Sequence, residues 1–352
     1  MPHMGPEFEQ AYWDRIDGPI YRAEIAPLLP PTVLDFHTHA WRASDFATPP
    51  SEATRQSPSL VFVTEHFPIA ALQRTAAQLF PGKEYQTLCF GFPFAEMDVA
   101  RNNEHIRQAI SDGSVAGGLM LVRPEDRAPD IRGAVIEGRF VGLKPYWTFV
   151  RGKAQNDVLL EDMLTPDHLR VADDMGLIVL IHLPRRRRLA CPHNIAALQR
   201  MSAEYPHARL VVAHVGRSYC EWTVREGLGS VAELPNVYFD TTFIQNSIVF
   251  QYLFEHVPVS RILYGSDLPA SAVHGRVVCV NGVNLFVTRD AYPWSLSRPE
   301  EPVECTFMAY ESLRAIRDGA ERAGISQQAL QAVFFRNGRD LIEGVRASLP
   351  TA

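Results

Sequence analysis

Short apolar runs rich in β-branched residues recur along the chain and alternate with segments that carry apolar residues at helical spacing. Alternation of this kind is typical of parallel strands joined by helices. Two amphipathic segments near the C-terminus, 308–324 and 326–345, predict helices, and Ser326 suits the N-cap of the second. The pattern therefore predicts an α/β fold. The runs with the length and composition of strands cover residues 32–39, 59–65, 87–93, 117–124, 139–146, 177–183, 208–216, 236–242 and 261–267.

Nine runs are one more than an eight-stranded barrel needs, so the run 59–65 or the run 87–93 is expected to belong to an insertion after the first strand. Residues 32–348 are predicted to form one domain, because they contain no repeat and no linker. Residues 1–31 are interpreted as an N-terminal arm, whose apolar residues suggest packing across a second copy in a homo-oligomer. The long interruption 269–302 contains an Asn-Gly turn between alternating residues, which predicts a hairpin over the rim of the barrel.

The first run, TVLDFHTH, places Asp35, His37 and His39 at every second position. Residues two apart in a strand project from the same face, so these three polar groups share one side. The active site of a (β/α)8 barrel lies at the C-terminal face of its strands. Further ionisable residues close later runs, and we expect them on the same rim: Lys144, His182, His214 and Asp267.

Composition narrows the function classes. The chain has 46% hydrophobic and 21% charged residues, which is ordinary for a globular protein. A formal net charge of -6 leaves no overall basic surface for nucleic acid. No signal peptide and no apolar span long enough for a membrane is expected. The five cysteines are scattered without CxxC spacing, which favours a reducing, cytoplasmic location.

The residue types expected at the rim suit a divalent metal. Imidazole nitrogen and carboxylate oxygen bind Zn²⁺ at roughly 2.0–2.2 Å, and a catalytic site keeps one position open for water. The same donors also accept Mn²⁺ or Fe²⁺. His37 and His39 can share one ion because their side chains leave one face of the strand. Asp267 is favoured as the carboxylate ligand, with helix capping as the alternative.

The ordered motifs DFHTH, GLKPY, IHLPR, AHVGR, NVYFDT and YGSDLP resemble the amidohydrolase superfamily, and in detail its amidohydrolase 2 branch, over about residues 32–345. The resemblance implies a (β/α)8 TIM-like barrel with an inserted early segment and C-terminal helices. It implies that His214 contacts a second metal or polarises the substrate. Lys144 matches a position where two-metal members hold a carboxylated lysine, with a plain substrate contact or ion pair as the alternatives. The metal ligands it implies are His37, His39, His182 and Asp267.

The branch contains hydrolases, lactonases, hydratases and metal-dependent decarboxylases, so the resemblance implies an enzyme. The leading prediction is a hydrolase with one or two ions, zinc first, in which metal-activated water attacks the carbonyl carbon of an amide, lactone or ester. Asp267 is expected to move the proton and His214 to stabilise the oxyanion. The alternative is a lyase that decarboxylates an aromatic or unsaturated acid, although the intact His-x-His pair favours hydrolysis. A barrel that binds metal only structurally is the third interpretation.

Substrate-binding residues are predicted from their place on the loops after the strands. Arg185 opens a run of four arginines, and we expect it to hold a substrate carboxylate, with a solvated structural run as the alternative. Arg217 is the second candidate. Tyr146 and Trp147 are expected to form an apolar wall. The partner is therefore expected to be a small, carboxylate-bearing molecule.

Overall fold

Eight parallel strands follow one another around the sheet in chain order in the computed structural model, which describes residues 8–55 and 65–350. The (β/α)8 barrel is confirmed. The strands, β1 to β8, are Thr32–His39, Glu84–Phe90, Gly117–Val122, Gly142–Pro145, Ile178–Ile181, Arg209–Val212, Val237–Asp240 and Ile262–Leu263.

The barrel closes where the segment that begins with β8 meets β1. The backbone N–H of Phe36 donates to the carbonyl of Tyr264 at 2.8 Å, and the N–H of Asp267 donates to the carbonyl of His37 at 2.9 Å. The N–H of His39 donates to the carbonyl of Leu268 at 2.9 Å. We call this junction the seam, and it brings the ends of the first and last strands side by side.

Helices cover the outside of the barrel. They are needed because the strands are apolar on both faces and would otherwise expose one face to water. All four residues of β5, Ile178–Ile181, are fully buried. The helices, α1 to α10, are Ile69–Leu79, Val99–Ser111, Ala128–Gly138, Pro166–Asp174, Pro192–Glu204, Glu221–Gly227, Ser247–His256, Met308–Arg322, Gln327–Phe334 and Arg336–Arg346. Single helical turns lie at Glu52–Arg55 and Leu160–Met163, and a turn in the left-handed region lies at His214–Arg217. The 3-10 turns are Ala43–Asp45, Trp147–Phe149, Arg188–Ala190, Leu228–Ser230, Val259–Arg261 and Ala270–Ala272.

The structure decides between the two early runs. The run 87–93 belongs to β2, so it is a barrel strand, whereas the run 59–65 lies outside the described residues except for Glu65. Near the C-terminus, the single helix predicted over 326–345 is two helices, because Phe335 leaves the helical region with φ -147° and ψ -66°. The Ser326 cap is confirmed, and its hydroxyl accepts from the Ala329 N–H at 3.2 Å.

The N-terminal arm packs on its own barrel. Its helical turns are Gln10–Tyr12, Trp13–Asp17, Gly18–Ile20 and Tyr21–Ile25. Tyr21 and Ile25 are buried in the main core, and the Tyr21 hydroxyl donates to the Pro81 carbonyl at 2.6 Å. These two apolar residues of the arm are thus covered within one chain, and the homo-oligomer stays a prediction.

The predicted hairpin is present as β9, Gly275–Val280, and β10, Val283–Thr288. Asn281 and Gly282 form its turn with φ of 49° and 79°, the left-handed conformation that Asn-Gly turns favour. A disulfide joins Cys279 of β9 to Cys220. The cysteine spacing did not predict this bond. Because two of the five cysteines are paired, the cysteine pattern no longer supports a cytoplasmic location. Across the described residues, no helix is both long and apolar enough to cross a membrane.

Candidate metal centre and substrate cavity

Three predicted ligands meet at the seam. His37 and His39 lie at the end of β1, and Asp267 lies four residues beyond β8. The Oδ1 atom of Asp267 is 3.2 Å from His39 Nε2 and 3.7 Å from His37 Nε2. One donor atom from each of these residues lies within 4.8 Å of the other two. The closure of the barrel therefore assembles a set of nitrogen and oxygen donors of the kind that zinc binds.

The hydrogen bonds of the two imidazoles fix which nitrogen faces Asp267. His37 Nδ1 donates to Asp240 Oδ2 at 2.8 Å, and His39 Nδ1 donates to the Gly91 carbonyl at 3.1 Å. Because a carboxylate and a carbonyl only accept, each Nδ1 carries the proton and each Nε2 presents a lone pair. Lone pairs on His39 Nε2 and Asp267 Oδ1 then face each other across 3.2 Å, which is unfavourable unless a cation lies between them. The donor set fits a divalent metal on this ground.

His182 and His214 extend the cluster beyond these three ligands. The ring of His214 lies 5.0 Å from the ring of His37 and 5.0 Å from that of His182, measured between centroids. His214 Nδ1 donates to the Thr242 carbonyl at 3.2 Å, whereas His182 Nδ1 has no hydrogen-bond partner in the described part of the chain. His182 is therefore beside the centre with a free ring nitrogen, although it does not join the set of donors that all lie within 4.8 Å of one another.

Burial favours the neutral form of His182 and His214. It is the largest cause that lowers the pKa of His214 to about 4, against the attraction of Asp267. Burial, followed by the positive charge of Arg217, holds the pKa of His182 well below its usual value. Neutral imidazole and ionised carboxylate are the forms that bind metal.

Lys144, near the end of β4, is fully buried beside the centre. Its Nζ has no hydrogen-bond partner among the residues that the structure describes, and it lies 4.6 Å from the centroid of the Phe90 ring. Burial is the largest cause that lowers the pKa of Lys144 to about 8, with Asp240 and Asp267 opposing it. An unpaired amine of this kind is unusual, because buried polar groups normally have partners.

One cavity of about 640 Å³ is lined by the predicted rim residues except Asp35. Tyr146, Trp147 and Arg217 line it as well, and their contact with a substrate stays a prediction. The rings of Tyr146 and His182 lie 4.8 Å apart, so the aromatic wall touches the centre. Arg185 does not line the cavity. Its place is taken by Arg188, because the loop after β5 turns back through a 3-10 turn, Arg188–Ala190, and directs the fourth arginine inward.

A family model described as amidohydrolase matches residues 34–340 of the chain. The chain belongs to the amidohydrolase 2 family. A comparison with curated proteins gave no match.

Solved structures share the fold of this amidohydrolase over nearly their whole length. One, an amidohydrolase from Burkholderia multivorans with bound zinc, is 13% identical with a TM-score of 0.56, covering 91% of this chain and 100% of that one. A second, a probable 2-pyrone-4,6-dicarboxylic acid hydrolase from Acinetobacter baumannii with citric acid bound, is 16% identical with a TM-score of 0.55, covering 88% and 99%. A third, 5-carboxyvanillate decarboxylase from Sphingomonas paucimobilis, is 13% identical with a TM-score of 0.53, covering 89% and 99%.

Asp240 belongs to this cluster, and sequence reasoning missed it. Its Oδ2 accepts from His37 Nδ1 at 2.8 Å, and its Oδ1 accepts from the backbone N–H of His214 at 2.6 Å. Burial, the largest single effect, works against its charge, but His37 and His214 together lower the pKa of Asp240. The signal was available, because Asp240 closes β7 within the NVYFDT motif, as the other site residues close their strands.

Backbone strain in the amidohydrolase concentrates around the cavity. Non-glycine residues adopt the left-handed region rarely, and such strain persists where the surrounding structure enforces it, often at functional sites. Among the cavity-lining residues, five have φ between 54° and 69°: Arg188, His214, Arg217, Phe243 and Asp267.

Proposed function

We propose that this amidohydrolase is a metal-dependent hydrolase that acts on the carbonyl carbon of an amide, lactone or ester in a small anionic substrate. One observation carries the proposal. The donor atoms of His37, His39 and Asp267 lie close together, and the three residues line an open cavity. A structural site is closed by its ligands, whereas this one opens into space for water and substrate. Zinc is the first candidate, supported by the zinc-bound relative of the same fold.

The residues around the centre have separate roles in the proposed reaction. When bound, a divalent ion supplies Lewis-acid activation of water and of the carbonyl oxygen. Asp267, which keeps 20% of its side chain exposed, takes the proton of the attacking water and returns it to the leaving group. His214, oriented by Asp240 and Thr242, presents the lone pair of its Nε2 and would hold a second ion, whose positive charge would favour the oxyanion on the carbonyl carbon's oxygen. His182 completes the ligand set.

Lys144 decides how many ions the centre holds. Its amine is buried and has no partner in the described residues. As a carbamate it would gain a negative charge and two further oxygen donors beside the His37 and Asp267 side chains, which suits a second ion. As a plain amine it would be left to contact the substrate, and the centre would hold one ion.

A decarboxylase is the second candidate. The observation that favours it is the aromatic lining of the cavity by Tyr146, Trp147, Phe92 and Phe94, which suits the ring of an aromatic acid. A decarboxylase of this fold, which acts on 5-carboxyvanillate, supports the same alternative. The hydrolase remains first, because both histidines of the His-x-His pair are present and correctly oriented.

Elemental analysis of the purified protein is the first test, combined with turnover on two panels. Carboxylate-bearing lactones, esters and amides are assayed for acid release, and aromatic acids for carbon dioxide release. We expect His37→Ala and Asp267→Asn to lose metal affinity by at least about 100-fold, because even outer residues of a metal site contribute about 10- to 100-fold. His207→Ala, an exposed histidine away from the cavity, is the matched control and should bind metal like the wild type.

Each result has a definite meaning. Metal in the wild type, its loss in both site variants and acid release from the first panel support the hydrolase. Carbon dioxide release without hydrolysis assigns the second candidate instead. A content near two ions per chain supports the Lys144 carbamate. Full metal content and full turnover in His37→Ala would show that the site is misplaced.

A further inference from the structure

Two arginines line the cavity without a carboxylate partner in the described part of the chain. Arg188 lies on the loop after β5, and Arg217 lies on the loop after β6. The cavity has two acidic residues, and both are engaged elsewhere. Asp267 faces the histidines, and Glu96 accepts hydrogen bonds from Ser51 and Thr54 on the loop after β1. The positive charge of the arginines is thus uncompensated on this side of the cavity.

The protein holds Arg188 in one place by contacts that do not neutralise it. Its Nη1 donates to the backbone carbonyl of Arg217 at 3.2 Å, and its Nη2 donates to Asn284 Oδ1 of β10 at 3.0 Å. Its guanidinium lies 5.0 Å from the centroid of the Tyr219 ring. Neutral oxygens and an aromatic face orient the guanidinium, while the remaining N–H groups stay available to a ligand.

Arg217 is held in the same manner. Its Nη1 donates to the Leu183 carbonyl at 3.1 Å. In the amide orientation that satisfies both side chains, the Gln155 oxygen accepts from Nη1 and Nη2 at 3.1 and 3.3 Å, while Nε has no partner in the described residues. Both arginines also have a left-handed backbone, with φ of 54° for Arg188 and 61° for Arg217. Strain of this kind persists only where the surroundings enforce it.

Two arginine charges on the wall of one cavity repel each other when no anion is bound there. Burial, and then the charge of Arg217, lower the pKa of Arg188 to about 10. Arg188 is therefore still protonated at neutral pH, and the repulsion between the two residues is present in the resting protein. A bound carboxylate would remove that repulsion and pair with planar N–H forks that match its geometry.

We propose that Arg188 and Arg217 form a carboxylate subsite that holds a non-reacting anionic group of the substrate, apart from the group that reacts at the metal ligands. The proposal rests on the proposed function, since it takes the carbonyl end of the same molecule to lie at His37, His39 and Asp267. Tyr219 beside the subsite and Tyr146 beside His182 favour a planar skeleton. The substrate class is a carboxylic acid on an aromatic or conjugated ring, with the scissile carbonyl elsewhere on that skeleton.

Binding of benzoate to the full-length protein tests the subsite without turnover. Calorimetric titrations are made on metal-loaded protein and on protein stripped with chelator, with benzamide as the uncharged comparison. We expect benzoate to bind in both states and more tightly than benzamide. Arg188→Gln and Arg217→Gln should weaken benzoate binding about 10- to 100-fold, because hydrogen bonds between charged groups are the strong ones.

Two further variants make the result specific. Arg188→Lys keeps the charge without the fork, so it should retain part of the affinity. Arg187→Gln is the matched control, because Arg187 pairs with Glu226 outside the cavity, and it should leave benzoate binding unchanged. Equal benzoate affinity in wild type, Arg188→Gln and Arg217→Gln would overturn the subsite. Benzoate binding that requires metal would also overturn the subsite, since the carboxylate would then lie at the metal centre. A protein that binds no metal but still binds benzoate through the two arginines would reject the hydrolase and leave the subsite standing.

Discussion

At the scale of single residues, Asp240 connects two of the site histidines. One carboxylate oxygen accepts from the ring of His37, and the other accepts from the backbone of His214 and from the Thr242 N–H. Asp240 therefore sets both the tautomer of His37 and the path of the strained backbone at His214, where φ is 56°. It acts through these histidines, so it is a positioning residue.

Replacing Asp240 tests this role. We expect Asp240→Asn to weaken metal binding about 10- to 100-fold, because an amide no longer holds the His37 proton on Nδ1 with a charged acceptor. Competition titration with a metal indicator measures the affinity. Asp17→Asn is the matched control, because Asp17 is also a buried aspartate that accepts from a histidine ring, that of His274, at 2.8 Å away from the centre. Equal weakening in both variants would indicate a general loss of stability rather than a role at the site.

At the scale of elements, the β9–β10 hairpin forms part of the cavity wall. Asn284 and Phe286 of β10 line the cavity, and the hairpin is attached to the rim at three points. Arg188 donates to Asn284, the Trp222 indole N–H donates to the Gly282 carbonyl at 3.0 Å, and the disulfide joins Cys279 to Cys220. The wall is thus fixed to the loop that carries Arg217.

Removal of the disulfide should loosen this wall. The bond closes a span of 59 residues, so we expect Cys220→Ser with Cys279→Ser to lower the free energy of unfolding by about 2–4 kcal/mol. The Michaelis constant should rise more than the turnover number falls, because the hairpin contributes to binding and not to the metal centre. Urea denaturation and steady-state kinetics measure the two effects. Cys305→Ser, which removes a free cysteine, is the control. If the free energy of unfolding of the wild type is the same with and without reductant, the disulfide is not present.

The arm is attached to α8 by charge. Arg314 Nε and Arg317 Nη1 each donate to Glu24 Oε2 at 3.0 Å, and the Arg314 bond is the largest cause that lowers the pKa of Glu24 below 4.5. A lowered acid pKa contributes stability above the unfolded value, and this stability is lost as the pH falls through the folded value.

We therefore expect Glu24→Gln to destabilise the protein at neutral pH by less than about 1 kcal/mol, because the pair is partly exposed. The difference from wild type should be constant above pH 4.5, the usual value for Glu24, and should shrink below it. Thermal unfolding across pH measures it. Glu321→Gln, an exposed acid on the same helix, should show no such difference, and a gap that widens in acid would contradict the assignment.

At the scale of the molecule, most of the barrel and its rim could be predicted because they depend on local patterns. Period-2 placement of His37 and His39 and strand-end placement of Asp267 need no knowledge of distant contacts. Arg188 could not be chosen over Arg185, because the direction of a loop arginine depends on a turn that tertiary packing sets. The Cys220–Cys279 pair could not be found either, since the hairpin reaches the rim only in the folded chain.

The same folded chain makes the proposed metal centre part of the seam. His37 and His39 belong to β1, whereas Asp267 follows β8, so a bound ion would join the first and last strands of the barrel. Backbone hydrogen bonds at Phe36, His39 and Asp267 already cross this junction. Any ligand that binds the folded state alone stabilises it, by about 2.7 kcal/mol at a free concentration of 100 times its dissociation constant.

Chelation should therefore destabilise the whole barrel. We expect a chelator to lower the midpoint of thermal unfolding of the wild type, and restored zinc to return it, with hydrogen exchange increasing first at the amides of the seam. His37→Ala has lost one ligand, so its midpoint should start lower and respond little to chelator, while His207→Ala should respond like the wild type. An equal response of His37→Ala and the wild type would place the stabilising ion elsewhere. Only a centre built from both ends of the barrel makes the binding of the ion depend on closure of the seam.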